Sequence, residues 1–385
     1  MKCLSTKATS IKPSGIRKFF DLASTMEGVI SLGVGEPDFA TPWHICENAI
    51  HSMSTGHTHY TANRGLIELR KEICKFHKEH YNQVFDPETE VIVTIGGSEA
   101  IDLCMRALLN PGDEVIVLDP NYVAYAPSVI LSDGVVVPLQ LKEENDFKIL
   151  PEDLKKVITP KTKAMIINYP SNPTGGVMTK EDYAKIVDVI KESGIYVISD
   201  EIYAELSFDQ PFASLAQFDE IKSQIIVVNG FSKAFAMTGW RLGYCMANKE
   251  LSSVMNKIHQ YVIMSAPVMS QYAALEALQN GYDDVLMMKD DYLKRRNFLV
   301  NRLNRMGLKT NMPHGTFYVF CNIQSTGLDS ETFCERLLQE QKVACVPGNA
   351  FGDSGEGYIR ISYAYSIDHI KDCLLYTSPS PRDRT

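Results

Sequence analysis

Short Val- and Ile-rich runs recur between Glu90 and Ala247, and helix-like segments separate them. That alternation constrains the fold more than any other feature of the chain. The runs are Val91–Ile95, Glu114–Leu118, Val135–Leu139, Ala164–Ile167, Ile195–Ser199, Gln224–Val228 and Leu242–Met246. Strands that read as continuous apolar runs are buried on both faces. Between them, Glu99–Leu109 places Ile101, Cys104, Met105 and Leu108 on one helical face, with Ser98 as the expected cap. Glu181–Lys191 follows Thr179 with Asp182 three residues on, close to a capping box. Strands alternating with helices predict an α/β fold, a mostly parallel sheet flanked by helices on each side. Ligands of such sheets bind outside the carboxyl ends of the strands.

Beyond Pro267 the pattern changes. Helices are expected over Ser270–Gln279 and Asp283–Arg305, then a strand Thr316–Cys321, a helix near Glu331–Gln339, and strands Val343–Val346 and Gly357–Tyr363. This is a smaller α+β region, and the segment before Trp43, with no sheet of its own, is expected to pack with it. The expected division is a large domain, 44–280, and a small one, 1–43 plus 281–375. The last stretch, 376–385 (YTSPSPRDRT), reads either as a disordered terminus or as non-native sequence.

Composition removes several classes of function. No apolar run approaches the ~20 residues that span a bilayer. The N-terminal lysines have no apolar stretch behind them, so a secretory signal is not expected. A formal net charge of −9 argues against a nucleic-acid partner. Nine cysteines, scattered without a CxxC pair, suggest neither a disulfide framework nor a zinc site. Reduced, buried thiols in a cytoplasmic protein are the expectation. His51, His57 and His59 sit in a Gly/Thr loop without a ligand set, so no metal is expected.

Five stretches carry chemistry. In Asn229–Tyr244 (NGFSKAFAMTGWRLGY), a strand is followed by Gly230, read as a turn residue, then Ser232, Lys233 and, eight positions on, Arg241. A lysine past a strand end can condense with an aldehyde, and an arginine can clamp a phosphate. Pyridoxal phosphate presents both groups. An ordinary strand–turn–strand is the competing reading. Ser199–Tyr203 (SDEIY) offers Asp200 and Tyr203, or else an acidic helix start. Pro170–Gly175 (PSNPTG) is a rigid loop around Asn172, or simply a turn. Ile95–Ala100 (IGGSEA) sets Gly97 and Ser98 at a helix N-terminus able to bind phosphate, or is a Gly turn with a Ser cap. Gly357–Tyr363 (GYIRISY) holds Arg360 between apolar neighbours, where it needs an anion: a ligand or a structural carboxylate.

Together these stretches, with Gly35 in GVGEPD and Tyr60 in HYT, resemble fold-type-I pyridoxal-phosphate enzymes of aminotransferase class I/II, nearest to bacterial broad-specificity or aromatic aminotransferases. The resemblance implies an aspartate-aminotransferase-like fold and pyridoxal 5'-phosphate on Lys233 as a Schiff base. It implies Asp200 at the pyridine nitrogen, Tyr203 and Asn172 at the ring oxygen, Tyr122 stacked on the ring, and Gly97, Ser98, Ser232 and Arg241 at the phosphate. Arg360 with Asn172 would fix the substrate carboxylate, and the Gly35 loop would lie over the substrate. Tyr60 would reach the phosphate of a neighbouring subunit, which implies a homodimer with shared active sites. One departure is Gly230, where many members of the family carry a phosphate-binding serine. The expected reaction moves the amino group of an L-amino acid to a 2-oxo acid with ping-pong kinetics. A C–S β-lyase shares the fold and the lysine, but NPTG and GWRLGY favour the aminotransferase. A non-catalytic cofactor-sensing regulator would need a basic domain in front, for which too few residues precede the core. An NAD-dependent oxidoreductase would need a glycine fingerprint, and none occurs. The side chain of the substrate stays open.

Overall fold

A computed structural model of the chain describes residues 3–11 and 26–376; the stretch 377–385 lies outside the described residues. A two-residue strand, β1 (Ile30–Ser31), precedes β2 (Val91–Thr94), β3 (Glu114–Asp119), β4 (Val135–Gln140), β5 (Thr162–Asn168), β6 (Tyr196–Asp200), β7 (Ile225–Gly230) and β8 (Gly243–Met246). These last seven form one sheet in the order β2-β8-β7-β6-β5-β3-β4. β4, β3, β5, β6 and β7 run parallel, and β8 lies antiparallel between β7 and β2.

Successive strand residues point to opposite faces, and both faces are dry. Val227, Val197, Ile167 and Ile116 pack into one core with Leu69 and Ile73 of helix Ile67–Tyr81 and with Ile186 and Ile190 of helix Lys180–Ser193. Their neighbours Val228, Ile198, Ile166 and Val115 pack on the other side with Leu103 and Cys104 of helix Gly96–Leu108 and Met255 of helix Lys249–Val262. The unbroken Val/Ile runs are explained by this double burial. Thr179 and Asp182 complete a full capping box at the start of Lys180–Ser193, a device worth about 1 kcal/mol.

The C-terminal part adds β9 (Tyr318–Asn322), β10 (Val343–Ala344), β11 (Val346–Pro347) and β12 (Tyr358–Ser362). β11, β12 and β9 make an antiparallel sheet, while β10 pairs with β1. The expected single strand Val343–Val346 is thus two short ones, broken at Cys345. Helices Tyr282–Arg305 and Ser330–Gln341 cover this sheet through a separate core that includes Leu299, Phe317 and Cys334. Cys3, Cys46, Cys74, Cys104, Cys245, Cys321, Cys334 and Cys345 form no disulfide among the described residues. No helix among the described residues is long and apolar enough to cross a membrane.

Two further expectations need correction. Helix Gly96–Leu108 begins two residues before Ser98, so Ser98 lies in its first turn and does not cap it. Gly230 is not in a turn but is the last residue of β7, opposite Gly243 of β8. The reason is steric: a Cβ at 230 would stand 3.0 Å from both Gly243 Cα and Leu242 O. Gly243 is tighter still, because a Cβ there would lie 2.6 Å from the Gly96 carbonyl carbon and 2.7 Å from Gly97 N. Bare backbone at 243 lets the start of the helix sit against the sheet. Gly243→Ala is expected to lower stability by about 1–3 kcal/mol, read as a drop in the urea midpoint at unchanged slope.

Candidate active site

The floor of the site is the edge where β5 and β6 end together. Asn168 and Asp200 are register partners. Asn168 Nδ2 donates to the Asp200 carbonyl oxygen at 2.8 Å, and its Oδ1 accepts from Asn172 N at 2.9 Å. One amide therefore ties the tip of β6 to the PSNPTG loop, whose Asn172–Pro173 peptide is cis. The Asp200 carboxylate is buried. It accepts from Tyr125 Oη at 2.7 Å and from Ile202 N at 3.2 Å. Burial raises its pKa to about 6 against the pull of these donors and of Lys233. No α-helix starts here; the chain passes through a turn into the short 3-10 helix Ala204–Leu206. The acidic-helix-start reading is therefore excluded.

Lys233 follows the end of β7, and its Nζ donates to Gly35 O at 2.7 Å. The Nζ also lies 5.7 Å from the centre of the Phe317 ring and 6.0 Å from that of Tyr203. Its pKa falls to about 8, first through desolvation and further through the positive charges of Arg360 and Arg241. Glu36 and Asp200 oppose the fall. Beside it, the start of helix Gly96–Leu108 approaches Arg241. That guanidinium lies so close that a Cβ at Gly96 would be 2.9 Å from Nη2. Arg241 holds its place with φ of 50° and a bond from Nη1 to Thr238 O at 3.1 Å. A helix start plus a guanidinium is an anion cradle.

At the other end, Arg360 on β12 is 3% exposed. Its Nη1 donates to Asn172 Oδ1 at 2.9 Å and its Nη2 to Gly33 O at 2.7 Å. Nε has no partner. The guanidinium lies 4.3 Å from the centre of the Tyr318 ring and 4.7 Å from that of Phe351. Among the described residues no carboxylate pairs with it, which removes the structural salt bridge as its explanation. A buried cation with only neutral acceptors calls for an anionic ligand.

Every residue expected to bind cofactor or substrate, except Tyr60, lines one cavity of about 390 Å³. Ser232 and Tyr203 are buried in its wall, and Tyr122 meets Tyr125 edge-on at 5.5 Å. Tyr60 is 83% exposed and outside the cavity. The sequence reading missed three contributors. Asn168 is the residue at a strand's carboxyl end, where the ligand rule for parallel sheets already pointed. Tyr125 lies three positions after Tyr122. Tyr318, in TFYVFC, was read only as part of a strand. Nothing local in the sequence marked it, since its role comes from neighbours distant in the chain.

The described geometry has known counterparts. Residues 27–372 match the family described as aminotransferase class I and II. The putative aminotransferase YugH of Bacillus subtilis is 50% identical over 97% of this chain and 96% of its own length. Aromatic-amino-acid aminotransferase 2 of Thermococcus litoralis is 42% identical over 96% of each. The solved aspartate aminotransferase of Thermus thermophilus with maleate superposes with a TM-score of 0.93 at 37% identity, over 98% of this chain and 99% of that one. With the match spanning both cores and the cavity between them, the chain belongs to the aminotransferase class I and II family.

Proposed function

We propose that the chain moves the amino group of an L-amino acid to a 2-oxo acid, with pyridoxal 5'-phosphate as its resident cofactor. The observation that carries this reading is one amine, Lys233, set between two separate anion sites and beside a buried carboxylate. The residues fit the cofactor. The anion cradle suits a phosphate, Asp200 suits a cationic ring nitrogen, and Arg360, with its Nε unpartnered, suits a substrate carboxylate. Lys233 would hold the aldehyde carbon, Tyr203 and Asn172 would face the phenolic oxygen, and Tyr122 would cover the ring. Gly97, Ser98, Ser232 and Arg241 would take the phosphate.

When bound, the cofactor supplies an electron-poor ring that accepts the electron pair left as the substrate Cα loses its proton. The protein's own groups do the rest. Arg360 and Asn172 fix the substrate carboxylate and so the direction of the Cα–H bond. Once the substrate amine has displaced it from the aldehyde carbon, Lys233 Nζ would take that proton from Cα and pass it to the former aldehyde carbon, which requires a neutral amine. Desolvation favours that form, and without ligands the pKa of the Lys233 amine already lies at about 8. Residues 33–36 line the cavity, with Gly35 O accepting from Lys233 Nζ. Tyr60, exposed here, would serve the phosphate of a second copy in a homodimer. We further assign 44–280 to the large domain, and 1–43 with 281–375 to the small one.

Lys233→Ala is expected to lower turnover by at least ~10³-fold, followed as oxo-acid release from a panel of amino donors with 2-oxoglutarate or pyruvate. A variant with near wild-type rate would overturn the assignment. Pyruvate and ammonia from cystathionine without any oxo acid would favour the lyase instead. Arg360→Lys keeps the charge but loses the planar fork, so KM for the amino acid should rise roughly 10- to 100-fold with a smaller change in kcat. Asp200 has a separate signature in the cofactor-free protein. Its folded pKa is raised, so its contribution to stability is full below the unfolded pKa and is lost as pH rises through about 6. Asp200→Asn should therefore be more stable than wild type above pH 6, by on the order of 1–3 kcal/mol. The gap should close as the pH falls toward 4, measured by urea unfolding across that range.

A further inference from the structure

Tyr318 is buried, and as core packing a phenylalanine would serve as well, so its hydroxyl needs its own explanation. That hydroxyl lies 3.0 Å from Tyr203 Oη, and either atom can donate. The backbone of Gly35 passes so close that a Cβ there would fall 2.1 Å from Tyr318 Oη. The ring of the same residue faces the Arg360 guanidinium at 4.3 Å. β9 and β12 enforce this: Tyr318 pairs with Ser362, and Arg360 pairs with Phe320, so Tyr318 and Arg360 are diagonal neighbours on one face. One side chain thus touches the tyrosine at the ring-oxygen end and the arginine at the carboxylate end.

We propose that Tyr318 is a positioning residue that joins the two ends of the site, its hydroxyl directing the Tyr203 proton and its ring holding the Arg360 guanidinium. This rests on the function proposed above. A phenol carries one proton. When an acceptor oxygen stands in the cavity, Tyr203 donates its hydrogen bond to that oxygen, and its own oxygen is left able to accept from behind. Tyr318 Oη is the group placed to donate. A chain of two hydroxyls polarises along its length, so Tyr203 becomes a stronger donor than it would be alone. The ring acts separately. A guanidinium over an aromatic face in a desolvated site is held by cation–π attraction, which holds the fork over Tyr318 with its nitrogens turned to Asn172 and Gly33.

The two parts separate by substitution. Tyr318→Phe removes only the hydroxyl, and Tyr318→Leu removes the hydroxyl and the ring. The first readout is the absorbance of the cofactor-loaded protein titrated with pH. A donor at the ring oxygen favours the deprotonated form, so a weakened Tyr203 raises the midpoint. Tyr318→Phe is expected to raise it by roughly 0.5 unit or more, with KM for the amino donor within about twofold of wild type. Tyr318→Leu should show the same shift plus a KM raised roughly tenfold, with kcat less affected. An unchanged midpoint in Tyr318→Phe, or equal KM values for the two variants, overturns the proposal while wild-type turnover leaves the assigned reaction standing. A wild-type protein that takes up no cofactor on Lys233 ends the assigned reaction, and this inference with it.

Discussion

The site depends on a ladder of backbone hydrogen bonds. β5, β6 and β7 run parallel and in register, with Asn168 opposite Asp200 and Asp200 opposite Val228. Parallel strands place equivalent ends side by side, so the loops that leave them must share one edge of the sheet. The PSNPTG loop, the Asp200 carboxylate and the lysine turn meet there for that reason. A slip of one residue in β6 would turn Asp200 to the opposite face. Both faces are packed with apolar side chains, and such a slip would disturb both cores at once. The register that fills the core is therefore also the register that aims the carboxylate.

The cavity opposes that packing. Asp200, Lys233 and Arg360 are all drawn out of water, and burial shifts Asp200 up and Lys233 down. Neither change helps a protein without its ligand, because each marks a charged form held at a disadvantage. The same disadvantage becomes affinity when opposite charges arrive. The three groups differ in kind: a carboxylate for a cation, an amine for a carbonyl, and a guanidinium for an anion. Their separation sets which chemical group goes where. The neutral acceptors around Arg360 keep it oriented without neutralising it.

Much of this could be read from the residues. The double burial of the strands followed from unbroken Val/Ile runs, and the capping box at Thr179 from two side chains at the right spacing. Lys233, Asp200 and Asn172 were legible because strand ends in parallel sheets are where side chains meet ligands, Arg360 because an arginine between apolar neighbours needs an anion, and all four because the motifs resemble a known family. Other features were not legible. Gly230 looked like a turn because glycine usually is one; only the approach of β8 shows that it is a strand residue kept bare. Ser98 looked like a cap because serine usually is one, but the helix had already begun. Tyr318 was invisible, since its partners at 35, 203 and 360 come together only in the folded chain. Tyr60 stays exposed, and its assigned role rests on the resemblance alone.

The N-terminal segment that lines the cavity is distant in sequence from what it completes. Gly33 and Gly35 accept from Arg360 and Lys233, and β1 just before them pairs with β10. During synthesis on a ribosome, residues 30–35 emerge early and must wait for 343–360 before they can dock. Closing so wide a loop costs chain entropy that only the finished contact returns. The pocket is thus completed late, and a nascent chain stalled between β8 and β12 carries all seven strands of the large sheet but lacks the buried Arg360.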